Sequence, residues 1–433
     1  MVIETQQEYQ TLVDNIRGKD VVIAIVHEDY RKHPAESSIV SATLKYDDNI
    51  VDIVFNHSES LGEDLDVSLL SSAKRFWTES VKEFYHITGF TNIYDVSLLC
   101  HLNKIKLEDI VRPYVFEHIY ELNHNEFSMN KIVPLVKVLE YSRNKLSEVA
   151  KHSIPVDRGF VKYNQALITL AKLEKPGLKL QRGKFDAVFK NGYGYSNYNI
   201  LTTTGRPSNT FRGINFGALN KNDGTRAQII SRFDKGMLVE FDYDAFHLRI
   251  LAKLLKYNIP TDISLHQYFA DNVYNSSYDD SKKISWQILY GDIKVSKDDN
   301  PFFYKIKEMA SSLYNHFKIH KQFKTHIYKR KFASSIILEA NKNKVLNYFI
   351  QSYETEQNIE TIKKVQKYLE PRSTNMILYT YDSFLFDLDR TEGLRTVLEL
   401  KEILQGGSFP VKIKAGLDYS SMQNITERVN GYK

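Results

Sequence analysis

Cysteine is nearly absent from this chain: Cys100 stands alone among 433 residues, which excludes an intramolecular disulfide framework. Long apolar runs are missing too, and none approaches the roughly 18 residues that a membrane-spanning helix requires. The opening residues Met1–Thr5 carry no secretory pattern, so a reducing, cytoplasmic compartment is the expectation, with no membrane partner. Neither internal repeats nor a low-complexity linker interrupts the chain, and domain boundaries must be read from changes in pattern. A strong excess of one charge is lacking as well. Lys and Arg number 58 against 53 Asp and Glu, a net +5 with a pI near 8.7, which is compatible with nucleic acid but far from a wholly basic binding domain. Basic contact surfaces therefore have to be local. Lys172, Lys175, Lys179, Arg182 and Lys184, and the stretch 316–331, are candidates, each equally readable as a solvated helix face. What the chain does have is 42% hydrophobic residues, ample for one large or several smaller cores.

Two aspartates each end an apolar strand. In MLVEFDYDAFHLRILAKLL, Met237, Leu238, Val239 and Phe241 make a short strand, after which apolar positions switch to helical spacing at Phe246, Leu248, Ile250, Leu251 and Leu254. Asp242 sits where strand meets helix. In NMILYTYDSFLFDL, strand-like runs at 376–379 and 384–388 flank Tyr381, Asp382 and Ser383 at a hairpin tip. Carboxylates brought together by a sheet repel unless divalent cations neutralise them, and two metals about 3.5–4 Å apart clamp both oxygens of a phosphoryl transfer. A further segment, DSKKISWQILYGD, places Lys282, Trp286 and Tyr290 four residues apart. Each step drifts only about 40° around a helix, so the three share a face, with Asp279 or Asp280 as N-cap and Lys282 near the positive end where a triphosphate is favoured.

Residues 200–425 resemble family A DNA polymerases, the group typified by bacterial DNA polymerase I. Thr204-Gly205-Arg206-Pro207-Ser208 is similar to the TGRxSS element. Asp242-Tyr243 through Ala252 is similar to DYSQIELRxLA. Lys282, Trp286, Tyr290 and Gly291 match the fingers-helix pattern, Tyr381-Asp382-Ser383 stands in place of His-Asp-Glu, Asn347 and Gln351 match part of NxPxQG, and Phe409-Pro410-Val411-Lys412 resembles the family's tail. Four motifs in order are a specific signal. The resemblance implies an α/β right-hand polymerase that adds deoxynucleotides to a primer 3′ end by two-metal nucleotidyl transfer. Asp242, Asp382 and the Tyr243 carbonyl would hold two magnesium ions, with manganese as a substitute. Lys282, Trp286, Tyr290 and His247 would bind the deoxynucleoside triphosphate, and Arg206, Arg249, Gly291, Asn347 and Gln351 the DNA primer-template.

Departures from the family pattern are informative. His247 replaces a glutamate that excludes the ribose 2′-hydroxyl; its bulk favours retained deoxyribonucleotide preference. Ser383 replaces a second carboxylate. Tyr278 replaces an arginine and Ser264 a histidine, leaving Lys283 or His266 to compensate. Asp244 reads as a third carboxylate or as a helix cap.

Residues 1–110 read as α/β, with strands at 21–26, 38–44 and 50–55 and a helix over 73–85. They resemble the 3′–5′ exonuclease domain, small and ribonuclease H-like, that precedes many family A cores. Here Val26-His27-Glu28 replaces Asp-x-Glu, which implies a vestigial domain without proofreading, although Asp95 and Asp157 remain as acids. Helices at 134–150 and 160–173 suggest a reduced helical thumb within 111–200. Palm with motif A would follow at 201–252, fingers at 253–339, and palm with motif C at 340–433. So small a thumb implies low processivity without a replisome partner. Alternatives are a polymerase-derived, non-catalytic DNA-binding scaffold and a single-subunit RNA polymerase or primase-like enzyme. Richness in Lys, Asn, Ile and Tyr suits a phage or an AT-rich bacterial genome.

Overall fold

The computed structural model describes residues 1–28, 32–108, 133–153, 155–291 and 293–432. The fold is mixed α/β, and the chain divides into two compact units, Met1–Lys175 and Pro176–Lys433.

The first unit carries a six-stranded sheet made of β1 (Val2–Ile3), β2 (Asp20–His27), β3 (Ile39–Tyr46), β4 (Asn49–Val54), β5 (Arg75–Thr78) and β6 (Ile93–Asp95), in the order β1-β4-β3-β2-β5-β6. β2 pairs antiparallel with β3 and parallel with β5. Its helices are α1 (Gln6–Ile16), α2 (Val81–Thr88), α3 (Val96–Asn103), α4 (Leu135–Lys151) and α5 (Arg158–Glu174). The helix expected over 73–85 is instead strand, turn and helix. Phe76, Trp77 and Thr78 favour a strand, and Ser80 then caps α2 by accepting from the Glu83 amide at 3.3 Å. α4 lays Val138 and Tyr141 against Val26 of β2 and Val40 of β3. Thus both helices expected in a reduced thumb belong to the first unit, while residues 111–132 of that range lie outside the described residues.

The second unit begins with short pairings. β7 (Leu178–Leu180), β8 (Tyr193–Gly194) and β12 (Ile229–Ile230) form one small sheet; β9 (Tyr198–Asn199), β10 (Ser208–Phe211) and β11 (Ile214–Asn215) form another. β13 (Gly236–Tyr243) runs straight into α6 (Phe246–Leu255). α7 (Leu265–Phe269), α8 (Tyr278–Tyr290), α9 (Pro301–His320), the hairpin β14 (Gln322–Lys324)–β15 (Lys331–Ala333) and the 28-residue α10 (Lys342–Leu369) follow. The chain then returns through β16 (Asn375–Thr380), β17 (Ser383–Asp389), α11 (Gly393–Gln405), β18 (Val411–Gly416), β19 (Gln423–Asn424) and α12 (Thr426–Asn430).

The main sheet has the order β16-β17-β13-β18-β19, with β13 bonded on both edges. Leu238, Val239 and Phe241 are buried to 1% exposure or less, so the strand is fixed by side chains each contributing roughly 1.5–3 kcal/mol of burial. α6, α8 and α9 share a second core with α10 through Leu251, Ile288, Phe303 and Ile350. One strand end and one helical layer are thereby set against each other. Among the described residues no helix is long and apolar enough to cross a membrane.

Candidate active site

β17 pairs antiparallel with β13, placing Ser383 opposite Asp242; on the other edge, β18 places Lys412 opposite Asp242. The β16–β17 connection is a two-residue turn, Tyr381-Asp382, with Tyr381 at φ +59°. The Tyr243 amide donates to the Asp382 carbonyl at 2.9 Å, which fixes the hairpin tip beside the end of β13. On α10, Asn358 donates to the Tyr381 carbonyl at 2.5 Å and braces the tip from below.

Both carboxylates are perturbed upward. Burial first, then the charges of Asp382 and Glu240, push the Asp242 carboxyl up to about 7 against the opposing pull of Lys414 and Lys412. Burial and then Glu354 raise Asp382. Both directions mark buried carboxyls whose charged form is disfavoured, the condition under which carboxylates gain from hard divalent cations. Asp242 and Asp382 both line the cleft and could hold a divalent cation, a hard ion that needs few protein ligands when substrate phosphates complete its shell.

Asp244, only two residues on, has the opposite environment. It accepts from Arg249 Nη2 at 2.8 Å, Ser264 Oγ at 2.7 Å and the Leu265 amide at 2.8 Å. Although burial works against it, these bonds and Lys412 hold its carboxyl down at about 2. Asp244 is therefore a structural hub; the α6 N-cap position belongs to Ala245, held at φ +48° in the turn from strand to helix. Arg249 is 2% exposed, and its guanidinium also bonds the Asp244, Pro260 and Ile263 carbonyls. A DNA contact is thus not open to Arg249, whose donors are spent on closing the α6–α7 corner.

A cleft of about 170 Å³ opens over the aspartates. Arg206, Asp242, His247, Lys282, Trp286, Glu354, Asp382 and Lys412 are among its lining residues. Lys282 and Trp286 share the face of α8 expected of them, and Trp286 is 49% exposed, unusual for a tryptophan with only a packing role. The α8 cap is Ser277, whose Oγ accepts from the Asp280 amide at 3.1 Å, rather than Asp279 or Asp280. Gly291 ends the helix where a Cβ would meet the Gln287 carbonyl at 2.5 Å.

Tyr290 lies against Trp286, ring centroids 5.0 Å apart, and its hydroxyl is 2.5 Å from His247 Nδ1. Burial and the charge of Glu354 raise the Tyr290 pKa, so the phenol stays protonated and donates. That assigns the imidazole proton to Nε2, which faces Glu354 at 3.2 Å. The same Glu354 oxygen lies 3.1 Å from Arg206 Nε, and the Arg206 guanidinium sits 3.8 Å over the Tyr381 ring. Arg206, His247 and Tyr290, each partly exposed, thus gather around the buried Glu354 in one network on the wall of the cleft.

Asn347 and Gln351 bond each other at 3.0 Å on α10 and are not among the cleft-lining residues. Of the residues able to replace the missing arginine at Tyr278, Lys283 is 74% exposed beside Asp280 and does not line the cleft. His266 does line it, but burial, ahead of the charges around it, drives its pKa to about 4 and leaves it neutral at pH 7. Sequence reading missed Glu354, Glu240 and Lys412. For Glu354 a signal existed: α10 buries Glu354, Thr355, Glu356 and Asn358, polar residues a purely structural helix face would not carry.

In the first unit the remaining acids have local duties. Asp95 accepts from the Val81 and Leu98 amides at 2.9 and 2.6 Å and caps α3; Asp157 accepts from the Phe160 amide at 2.8 Å and caps α5. Glu28 lies 3.9 Å from Lys32. His33, His86 and Glu174 are buried within 4.8 Å of one another. Glu174, however, already pairs with Lys82 at 2.5 Å, and His33 Nδ1 accepts from the Ala35 amide at 3.2 Å. That bond puts the neutral ring's proton on Nε2, the nitrogen a cation would need. The cluster reads as a neutralised ion network.

No family model and no curated protein matches this chain. Among solved structures, the POL domain of Pol1 from M. smegmatis, in complex with DNA primer-template and dNTP, is similar: 13% identity, a TM-score of 0.67, and coverage of 97% of this chain and 99% of that chain. The fold is therefore that of a polymerase domain, in agreement with the motif resemblance to family A DNA polymerases.

Proposed function

We propose that this protein is a template-directed DNA polymerase that extends a primer 3′ end with deoxynucleotides. The observation that carries this reading is the meeting of Asp242 and Asp382, both driven towards protonation, across one cleft from Lys282 and Trp286 on α8. The likeness to a polymerase domain bound to primer-template and dNTP supports it.

Asp242, Asp382 and the Tyr243 carbonyl would hold two magnesium ions. When bound, these supply a lowered pKa for the primer hydroxyl and charge neutralisation for the triphosphate. The chain's own residues do the rest. Lys282 draws the triphosphate to the N-terminal half of α8. Trp286 offers a face for sugar and base, and the Tyr290–His247–Glu354 network fixes a bulky imidazole against the sugar's 2′ position. Arg206, stacked on Tyr381, would meet the primer end, and Gly291, Asn347 and Gln351 the template. In this reading residues 201–252 and 340–433 form the palm and 253–339 the fingers. The first unit is an exonuclease-like domain without proofreading, consistent with Asp95 and Asp157 being occupied as helix caps.

The test is extension of a labelled primer on a DNA template with magnesium, deoxyribonucleotides and ribonucleotides in parallel, for the wild type and Asp382→Asn. Extension by the wild type that Asp382→Asn loses by orders of magnitude, with primer-template binding nearly intact, is the expected result. Tight DNA binding without extension would instead make the chain a retired polymerase serving as a scaffold, and extension mainly with ribonucleotides would move it to the RNA-synthesising alternative.

A further inference from the structure

The cleft contains a second ammonium group, supplied by the sheet. On β18, Lys412 and Lys414 stand opposite Asp242 and Glu240 respectively. Lys414 closes on its cross-strand partner, 3.1 Å from Glu240. Lys412 reaches onward: its Nζ lies 3.2 Å from Asp244 and 3.1 Å from the hydroxyl of Tyr278, the first residue of α8. About a third of its side chain, 36%, remains exposed to the cleft it lines.

Asp244 has other partners besides this lysine. The Arg249 guanidinium already balances its charge at 2.8 Å, Ser264 and the Leu265 amide each donate to it, and Lys412 comes as a second cation on the Oδ1 that Ser264 also bonds. Arg249, Lys412 and Asp244 together leave one net positive charge at the cleft wall. With His266 neutral and Lys283 turned to solvent beside Asp280, Lys412 and Lys282 are, among the described residues, the two lysines lining the cleft. A lysine is a point charge with three rotatable donors, so it can keep Asp244 while offering another N–H to a phosphate.

Resting on the polymerase reading, we propose that Lys412 binds the terminal phosphates of the incoming nucleotide, supplying from the palm-side strand the charge that α8 lacks because Tyr278 begins it. Tyr278 then acts as the strut that holds the ammonium towards α8. The pyrophosphate product would be bound by the same pair of lysines.

The experiment compares wild type, Lys412→Met, Lys412→Arg and the control Lys283→Ala in single-nucleotide extension at fixed primer-template. A parallel titration with inorganic tripolyphosphate is followed by Trp286 fluorescence. Lys412→Met should raise the KM for deoxynucleotide at least 10-fold and weaken tripolyphosphate by a similar factor at unchanged primer-template affinity. Lys412→Arg should recover part of the loss, and Lys283→Ala should match the wild type. A fall in kcat with KM and tripolyphosphate affinity unchanged would show a lysine that only braces Asp244, and would overturn the proposal. If the wild type extends no primer, the polymerase reading falls by itself. The tripolyphosphate titration still decides the phosphate site, because equal binding by wild type and Lys412→Met rejects it.

Discussion

Replacing Asp242 by Asn should stabilise the metal-free protein while destroying extension. The folded-state carboxyl is pushed from 3.8 up to about 7 by burial and by Asp382 and Glu240, and that figure already includes the pull of Lys412 and Lys414. A folded pKa above the unfolded one means that the stability associated with the protonated form is complete below pH 3.8 and is lost as pH rises through 7. Asn, neutral at every pH and nearly the same shape, escapes that loss. Three units at 1.36 kcal/mol each make the variant more stable by about 4 kcal/mol at pH 8, roughly 1.5 at pH 5 and close to zero at pH 3. The assay is urea unfolding in EDTA with Trp286 as reporter in a Trp77→Phe background, since the chain has only two tryptophans. Saturating magnesium should raise the midpoint of the parent protein and leave the Asp242→Asn variant nearly unmoved, because only the parent binds the ion. A variant less stable than its parent at pH 8, or a gap that does not widen with pH, would refute the claim that burial and neighbouring acids penalise the charged Asp242.

Two further outcomes follow from the same geometry. Arg249→Met removes the guanidinium from a carboxylate that is 4% exposed, and should cost about 3 kcal/mol or more in urea unfolding. Asp244→Asn in the same chain should return part of it, and a loss under about 1 kcal/mol would mean that Lys412 alone satisfies Asp244. His247→Ala removes the imidazole held between Tyr290 and Glu354. The ratio of kcat/KM for ribonucleotides to that for deoxyribonucleotides should rise about 10-fold or more, and an unchanged ratio would take sugar exclusion away from His247.

The main elements of the site were legible because each depends on a short stretch of chain. Asp242 ends a run whose apolar period changes within three residues, and Asp382 lies between two strand-forming runs, so local pattern alone brings each to a strand end. The face of α8 follows from a spacing of four. Where sequence reading went astray, two local solutions competed. Ala73, Phe76, Trp77, Val81, Phe84 and Tyr85 satisfy helical spacing, yet Ser80 and Glu83 start the helix late and release Arg75–Thr78 to the sheet. Asp279 and Asp280 looked like caps because aspartate caps well, but Ser277, with non-helical backbone angles, holds the position. Glu354 and Lys412 were beyond such reasoning. Arg206 meets Glu354 across 148 residues of chain and Lys412 meets Tyr278 across 134, and only the completed sheet and helical layer make them neighbours.

The contrast between Asp242 and Asp244 explains why so many polar groups surround so few reacting atoms. Both lie at the same strand-to-helix junction, yet one is driven up to about 7 and the other down to about 2. Environments that push neighbouring carboxyls apart assign them different work. Arg249, Ser264 and the Leu265 amide all converge on Asp244, which locks the corner between β13 and α7 and removes those donors from Asp242. Ser383, standing where a second acid was expected, donates to Glu240 at 3.0 Å, and Tyr419 donates to the same oxygen at 2.9 Å. Glu240 is thereby tied back from the cleft, while its charge still raises Asp242. Asp244 and Glu240 receive direct donors, whereas Asp242 and Asp382 are driven up by burial and neighbouring acids despite the pull of Lys412, Lys414, His247 and Arg206, so the demand for positive charge is greatest where divalent ions would have to bind.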